Sequence, residues 1–466
     1  MPARQRRRGR PQASLFAAVS SSHPLLKSRD HGECVTIHAR DIGTNGERWI
    51  EPFLAVNAQS FKRLELKHDI QSTPELQVLL KPGAQIGAIP LLSPSTQKVL
   101  AGLLIEPRFK WSSLGAVFNA IGYSVEPNLG GSSLVPGSAR EVPPWLLAGP
   151  VIERISALMN HMRRGFVDRR EQRTSPRGRV DWTSWATRQV PGGKWTSFPC
   201  QFTEPDHDPD LIAAIRWTLS HLSEELSMLV WSPPAKYLLQ LTNEMQSELG
   251  FGPKRRPRDT WLSPGSSEWV NSAMEAMTWV AEDRGLGGAR SLDCLAWNLS
   301  IDAVWEAWIA SFSADLSRHL GMVASPFQSA RRFLHWHGPA KSMTALFPDV
   351  ELRSQERVVW IDAKYKRHLM LLAQKGWIGL SEEVRIEHRA DLHQALAYAS
   401  LADAPQVDTL LVYPRSDNDD SVLTTVATVT SGRRRVRLVL ASVPFGFRNP
   451  EKKEQCLRDF RELLSS

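Results

Sequence analysis

The chain has 466 residues, 42% of them hydrophobic and 23% charged, which is typical of soluble globular proteins and excludes a largely disordered one. This length exceeds a single ordinary hydrophobic core and predicts about three domains. No apolar run is long enough to span a membrane and no apolar segment follows the basic N-terminus, so we expect neither a membrane helix nor a signal peptide. The four cysteines lie far apart with no Cys-x-x-Cys pair, which argues against a zinc site or disulfide framework and favours the cytoplasm.

Basic residues are in excess and are clustered along the chain. The net charge is +8, and basic runs lie at residues 4–10, 253–258 and 433–437. This charge suits a polyanionic partner such as nucleic acid, although many soluble proteins are mildly basic without one. The 17 tryptophans either stack on bases or fill the core.

The first 144 residues are predicted to hold three segments. Residues 1–14 are basic and lack apolar periodicity, which indicates a disordered arm that either lies along phosphates or is a solvated tail. Residues 15–127 are predicted to form a β-rich N-terminal domain, in which Val35, Ile37 and Ala39 alternate and Asn45-Gly46 indicates a hairpin turn. The glycine, serine and proline residues of 128–144 predict a linker.

Residues 145–285 are predicted to form a mostly helical middle domain. It begins with an amphipathic helix at 145–170. Its last part, 232–285, holds two helical runs around a loop that contains the basic residues of 253–258. Arg177 and Arg179 flank a glycine, so they either grip phosphate or a partner's acidic surface, or belong to an ordinary turn. An acidic patch that precedes a helix predicts either N-capping residues or a cation site: Asp206, His207, Asp208 and Asp210.

The most informative pattern lies in the last predicted domain, residues 286–466. In its strand at 358–364, alternation places Asp362 and Lys364 on one face and Val359, Ile361 and Ala363 on the other. Upstream, Pro348-Asp349 opens a partner strand, and the polar run Ser-Gln-Glu-Arg between the strands predicts a hairpin that brings Asp349 beside Asp362. Two adjacent carboxylates disfavour joint ionisation unless a cation lies between them, and a divalent ion is the usual solution.

This layout resembles the PD-(D/E)xK nuclease superfamily, and Pro348, Asp349 and Asp362-Ala363-Lys364 are the matching residues. Gln394 and Tyr398, at i and i+4 of a predicted helix, resemble the additional motif of its RecB-like branch. The resemblance implies a restriction-endonuclease-like α/β domain, with a mixed central sheet flanked by helices, in an α+β multidomain chain. It also implies that Glu306, on a helix predicted at 302–320, is either a third acidic ligand or a solvated residue.

Segments before the nuclease motif sharpen the resemblance. In chain order they are Ile-Glu-Pro-Arg-Phe at 105–109, Arg-Arg-Gly-Phe at 163–166, Arg-Gly-Arg-Val-Asp at 177–181 and Cys-Gln-Phe-Thr-Glu at 200–204, followed by the helix at 210–219. From about residue 100 onward the chain looks like the McrC subunit of McrBC-type restriction systems. The resemblance implies a separate AAA+ NTPase partner, and no Gly-x-x-x-x-Gly-Lys-Ser/Thr motif is present in this sequence.

The resemblance implies Mg²⁺- or Mn²⁺-dependent hydrolysis of double-stranded DNA in phage defence. The expected metal ligands are Asp349, Asp362, the Ala363 carbonyl and Glu306. Lys364 would orient the attacking water, Gln394 and Tyr398 would position Lys364 or the phosphate, and nucleic acid would be contacted by Lys366, Arg177 and Arg179. Whether a homodimer cuts both strands stays open, as do two other functions: a DNA-binding scaffold with an inactive nuclease fold, and a repair or transposition nuclease. His335 and His337 share one face of an extended segment, where an ordinary strand is the alternative to zinc.

Overall fold

A computed structural model of the chain describes residues 23–42, 46–73, 75–138, 141–162, 165–206, 208–229, 232–258, 267–282, 293–326, 332–333, 337, 345–418, 423–431 and 434–465. The predicted basic arm at 1–14 lies outside these residues. So do His207, His335 and Arg433, which belong to the predicted acidic patch, histidine pair and third basic run.

The described residues form a mixed α/β protein. The strands are Leu25–Arg29 (β1), Val35–His38 (β2), Lys67–Gln71 (β3), Gln77–Lys81 (β4), Gln85–Leu92 (β5), Val99–Glu106 (β6), Asn128–Pro136 (β7), Gly165–Arg173 (β8), Arg179–Val180 (β9), Phe198–Asp206 (β10), Asp293–Ser300 (β11), Val323–Pro326 (β12), Arg332–Phe333 (β13), Ala345–Leu346 (β14), Val350–Arg353 (β15), Arg357–Ala363 (β16), Gln406–Arg415 (β17), Thr424–Ser431 (β18) and Arg434–Pro444 (β19). The helices are Ala39–Ile42 (α1), Gly46–Arg63 (α2), Lys110–Ile121 (α3), Pro144–His161 (α4), Trp182–Ser184 (α5), Pro209–Ser227 (α6), Pro233–Leu249 (α7), Glu268–Ala281 (α8), Ile301–Leu320 (α9), His368–Lys375 (α10), Glu382–Ser400 (α11) and Pro450–Ser465 (α12), with a π-helical turn at Trp185–Gln189. No helix among the described residues is long and apolar enough to cross a membrane.

The N-terminal region contains two sheets and a long helix. One sheet has the order β1-β6-β5-β11-β7, and the other has the order β2-β4-β3. The hairpin predicted at Asn45-Gly46 is wrong, because Gly46 begins α2 instead. Ile50, Phe53 and Phe61 are buried along one face of α2. This helical periodicity outweighs the turn preference of Asn45-Gly46.

Strand pairing does not follow the predicted domain boundaries. The segment predicted as a linker, 128–144, contains β7 and the start of α4. β11, in the segment assigned to the nuclease domain, pairs with both β5 and β7 of the first sheet. The N-terminal sheet is therefore completed by a strand from the C-terminal half of the chain, which local patterns cannot reveal.

The middle region is less helical than predicted. α4 ends at His161, and Met162 has an extended backbone, so the predicted helix at 145–170 is too long. The residues after it form β8, which pairs antiparallel with β10 over nine residues and thereby outweighs the helical pattern. The two helical runs predicted around residues 253–258 are α7 and α8, and both pack with α4, as α6 does. Asp208 accepts hydrogen bonds from the N–H groups of Asp210 and Leu211, which confirms the predicted N-cap.

The C-terminal region is built on a six-stranded mixed sheet of order β12-β15-β16-β17-β19-β18. β15 and β16 are antiparallel and form the predicted hairpin, while β16, β17 and β19 run parallel. Val359 and Ile361 belong to the hydrophobic core that includes Trp305 of α9, whereas Trp360 packs with Tyr398 of α11. The predicted alternation along β16 is thus confirmed, with helices against both faces.

Candidate active site

The hairpin of β15 and β16 places two carboxylates side by side. Val350 pairs with Ile361, so Asp349 and Asp362 follow as neighbours at the same end of the two strands. The Ala363 N–H donates to Asp349 Oδ2 over 2.7 Å, and the two carboxyl groups are within hydrogen-bonding reach of each other. Asp362 is only 3% exposed, so this pair is held largely away from water.

Lys364 supplies the positive charge beside this pair. Its ammonium Nζ lies 2.6 Å from Asp362 Oδ2 and donates to Gln394 Oε1 over 3.0 Å. Its backbone N–H donates to the Val412 carbonyl over 2.8 Å, which extends the parallel pairing with β17 past the end of β16. The lysine is therefore positioned through both its backbone and its side chain.

A chain of hydrogen bonds leads from this lysine back to the segment between β14 and β15, which contains Asp349. Gln394 Nε2 donates to the Tyr398 hydroxyl over 2.5 Å, and that hydroxyl donates to the Phe347 carbonyl over 2.9 Å. Gln394 and Tyr398 lie one turn apart on α11, as predicted. The structure thus brings the predicted glutamine and tyrosine to the predicted lysine.

Burial raises the pKa of both acids of this cluster. Burial, and next the Asp362 charge, raise the pKa of Asp349 to about 7. Burial also raises the pKa of Asp362, although the neighbouring Lys364 opposes the shift. Burial acts to lower the pKa of Lys364, but the carboxylates of Asp362, Asp391 and Asp349 together outweigh burial, so the net shift is upward. One lysine does not balance the negative charge that these buried groups would carry when ionised.

Glu306 lies on α9 beside the same cluster. Burial and the charge of Asp362 raise the pKa of Glu306, while Lys364 lowers it. One turn earlier on α9, burial and Glu306 raise the pKa of Asp302 to about 6. Sequence reasoning missed Asp302, although its i, i+4 spacing from Glu306 was a signal that the two share a face.

No family model and no curated protein matches this chain. Two solved structures from Thermococcus gammatolerans are similar to it at 13% identity: a refined half-complex from a tetradecameric assembly of McrB AAA+ hexamers with bound McrC, and a McrBC complex. The first likeness covers 94% of this chain and 100% of that chain at a TM-score of 0.45, and the second covers 63% and 88% at 0.25. At these TM-scores neither likeness establishes a shared fold or function.

The three predicted nucleic-acid contacts lie at two different places. Lys366 continues the segment after Lys364, and its Nζ donates to both oxygens of the buried Asp391 over 2.9 and 3.0 Å. Arg177 and Arg179 lie at the separate sheet β8-β10-β9, where both are exposed. The structure therefore places Lys366 near the acidic cluster and the two arginines on another sheet.

The turn between these arginines requires glycine. Gly178 has φ +64°, and a Cβ at that position would lie 2.5 Å from the Gln201 carbonyl oxygen. The Arg177 guanidinium lies over the Phe202 ring, 4.3 Å from its centroid. The turn thus has a structural role whether or not the arginines bind phosphate.

One contact links the segment after Lys364 to the N-terminal sheet. The Tyr365 hydroxyl, on the residue after Lys364, donates to Asp30 Oδ2 over 2.8 Å. Asp30 is fully buried, accepts the Arg108 N–H over 2.6 Å and lies 3.5 Å from the Arg108 Nε. Sequence reasoning missed Asp30 because 335 residues separate it from its partner.

Proposed function

We propose that this chain is a metal-dependent deoxyribonuclease of the PD-(D/E)xK superfamily and the cutting subunit of a McrC-like defence or restriction complex. One observation carries the proposal: Asp349, Asp362 and Lys364 meet at the end of one hairpin, with more acid than base. Structural clusters usually balance their charges, whereas perturbed acids gathered beside a single lysine are typical of functional sites. The motifs described in the sequence support the McrC-like assignment.

The residues present fit a hard divalent cation. Asp349, Asp362 and the Ala363 carbonyl offer only oxygen donors, which suits Mg²⁺, and the charge deficit around the two acids favours a cation. Glu306 lies close enough to influence Asp362 electrostatically and would add a further oxygen. Bound Mg²⁺ would polarise the scissile phosphate and lower the pKa of a coordinated water.

The chain's own groups would then perform the positioning. The Lys364 ammonium would hold the attacking water or offset the charge that develops on the phosphate oxygens. Gln394 would fix the direction of that ammonium by accepting a hydrogen bond from it, and Tyr398 would in turn fix Gln394. The roles of Gln394 and Tyr398 use hydrogen bonds that are already formed in this arrangement.

Substrate and partner follow from the same resemblance. Double-stranded DNA would be the substrate, with Lys366, Arg177 and Arg179 contacting its phosphates and a homodimer as one route to cutting both strands. A separate AAA+ NTPase would drive translocation along the DNA, because this sequence contains no P-loop motif of its own. Arg177 and Arg179 are exposed and so are available to DNA or to that partner.

A cleavage assay tests the proposal. Purified protein is incubated with linear and circular DNA, with and without a candidate AAA+ NTPase partner, in Mg²⁺ or in EDTA. We expect cleavage only with Mg²⁺, and its loss in Asp349→Ala and Lys364→Ala with circular dichroism and DNA binding retained. Lys375→Ala, an exposed lysine on α10, serves as the matched control and should cut normally.

Two results would contradict the assignment. Full cutting by either active-site variant would remove those residues from catalysis. DNA binding without cleavage under all of these conditions would instead support the scaffold function.

A further inference from the structure

A second cluster of metal-binding side chains lies where the start of α10 meets α11. His368, His388 and Asp391 are all buried, and one ligand atom from each lies within 4.8 Å of the others. His368 and His388 do not take part in the acidic cluster around Asp362, whereas Asp391 lies near enough for its charge to raise the pKa of Asp362. Unlike that oxygen-only cluster, this one offers two imidazole nitrogens and one carboxylate oxygen.

The hydrogen-bonding environment of His368 leaves one ring nitrogen directed at the cluster. Its Nε2 lies 3.3 Å from Glu387 Oε2, so a proton on Nε2 is favoured. Its Nδ1 lies 3.6 Å from Asp391 Oδ2, beyond hydrogen-bonding distance, and is buried with no hydrogen-bond partner among the described residues. A histidine with a carboxylate at one ring nitrogen and no hydrogen bond at the other has the usual arrangement of a metal ligand.

His388 is also held in the form that binds a metal. Burial lowers the pKa of His388, which favours the neutral imidazole. The Tyr413 hydroxyl lies 3.5 Å from His388 Nδ1. The His388 ring meets the His368 ring edge-on, with centroids 5.9 Å apart. Neutral imidazole is the ligand form, because a protonated ring has no free lone pair.

Asp391 already contacts a cation, which is the main argument against a metal. Lys366 Nζ approaches its Oδ1 at 2.9 Å and its Oδ2 at 3.0 Å. A carboxylate has about four acceptor positions, so Oδ1 can keep the lysine while Oδ2, the oxygen that faces His368 Nδ1, binds an ion. The lysine would then orient the carboxylate ligand as Glu387 orients the histidine.

We propose that His368, His388 and Asp391 form a second metal site, which binds a transition-metal ion of the Zn²⁺ class and leaves one coordination position for water. Two nitrogen ligands and one oxygen ligand favour Zn²⁺ over Mg²⁺, which prefers oxygen alone. Ligand distances of about 2 Å require the three donors to move slightly closer together. The ion would tie α10 to α11 one turn before Gln394, and so would stabilise the helix that positions Lys364.

Metal content measures this directly, without DNA or cleavage. The full-length protein is equilibrated with Zn²⁺, dialysed into metal-free buffer and assayed by inductively coupled plasma mass spectrometry. We expect about one zinc per chain, and, on substitution with Co²⁺, a visible absorption typical of a four-coordinate site. Wild-type protein with no retained zinc overturns the proposal.

Matched variants locate the ion. His388→Ala and the nearly isosteric Asp391→Asn should lose the zinc, whereas His393→Ala, an exposed histidine of the same helix, should keep it. Asp349→Ala should also keep it, which separates this site from the acidic cluster and makes the result independent of the proposed nuclease activity. Zinc retained by both His388→Ala and Asp391→Asn, or lost from Asp349→Ala alone, refutes the assignment.

Discussion

Two buried carboxylate clusters lie at opposite ends of the same parallel strand pair. Near the start of β17, Asp408 is bonded by two arginines: Arg357 Nε donates to Oδ2 and Arg437 Nε to Oδ1, each over 2.5 Å. At the other end, beside the last residues of β16, Asp349 and Asp362 share a single lysine. The first cluster has an excess of positive charge, and the second has an excess of acid.

We expect this difference to separate a structural cluster from a functional one. Arg437 also donates to the Leu464 carbonyl, so the Asp408 cluster connects the sheet to the C-terminal helix. Its carboxylate is fully used within the fold. The pair around Asp362 does not satisfy its own charge and therefore favours an external cation. We expect substitutions at the two ends to have opposite effects: loss of stability at one and loss of activity at the other.

The largest effect is expected from Asp349→Asn on cleavage. Removing one anionic ligand should lower the cleavage rate by at least about a hundredfold, the loss seen when one strong electrostatic contact is deleted from an active site. Asparagine can still accept the Ala363 N–H, and one buried repulsion disappears, so the free energy of unfolding in metal-free buffer should not fall. Parallel cleavage and urea-unfolding measurements check this. A large loss of stability would mean that the acidic pair holds the fold together.

Asp408→Ala should lower the stability of the protein and leave its cleavage rate unchanged. Deleting the carboxylate leaves two largely buried arginines without their partner, and breaking such a pair costs about 3–5 kcal/mol. Urea unfolding should show that loss, while the folded fraction still cleaves DNA at the wild-type rate at low temperature. Asp403→Ala is the control, because its exposed pair with Arg353 should contribute less than about 1 kcal/mol. Loss of cleavage by folded Asp408→Ala protein would place this cluster in the catalytic machinery.

A feature of the fold or the site could be predicted from sequence when the residues that form it lie close together along the chain. The hairpin that carries Asp349 and Asp362 could be predicted because its strands are joined by three residues and its alternation is local. The helix predicted at 302–320 and the helix that carries Gln394 could also be predicted, because each depends on residues close together in sequence. The pairing of β11 with β5 and the arginines around Asp408 arise from residues far apart in sequence, so no local pattern indicates them.

Tyr365→Phe tests Asp30, a buried carboxylate whose charge balance is intermediate between those of the Asp408 and Asp362 clusters. Asp30 faces one arginine and accepts hydrogen bonds from Tyr365 and from a backbone N–H. Removing the hydroxyl deletes one hydrogen bond to a charged group, which should lower the free energy of unfolding by about 1.5–3 kcal/mol. Cleavage by the folded protein should change little. A cleavage loss as large as that of Asp349→Asn would show that the N-terminal sheet controls the position of Lys364.

Gln394→Ala should have the smallest effect, and it probes the one positive charge of the acidic site. Without the amide, Lys364 keeps its contact with Asp362 but loses the acceptor that fixes its direction, as Tyr398 loses a donor. Substitutions of such supporting residues typically cost about 10- to 100-fold, so single-turnover cleavage should slow to that extent while DNA affinity stays constant. His393→Ala, exposed on the same helix, should leave the rate unchanged. If Gln394→Ala weakened DNA binding and not the cleavage step, Gln394 would contact substrate instead of positioning Lys364, and Asp362 alone would have to orient the lysine.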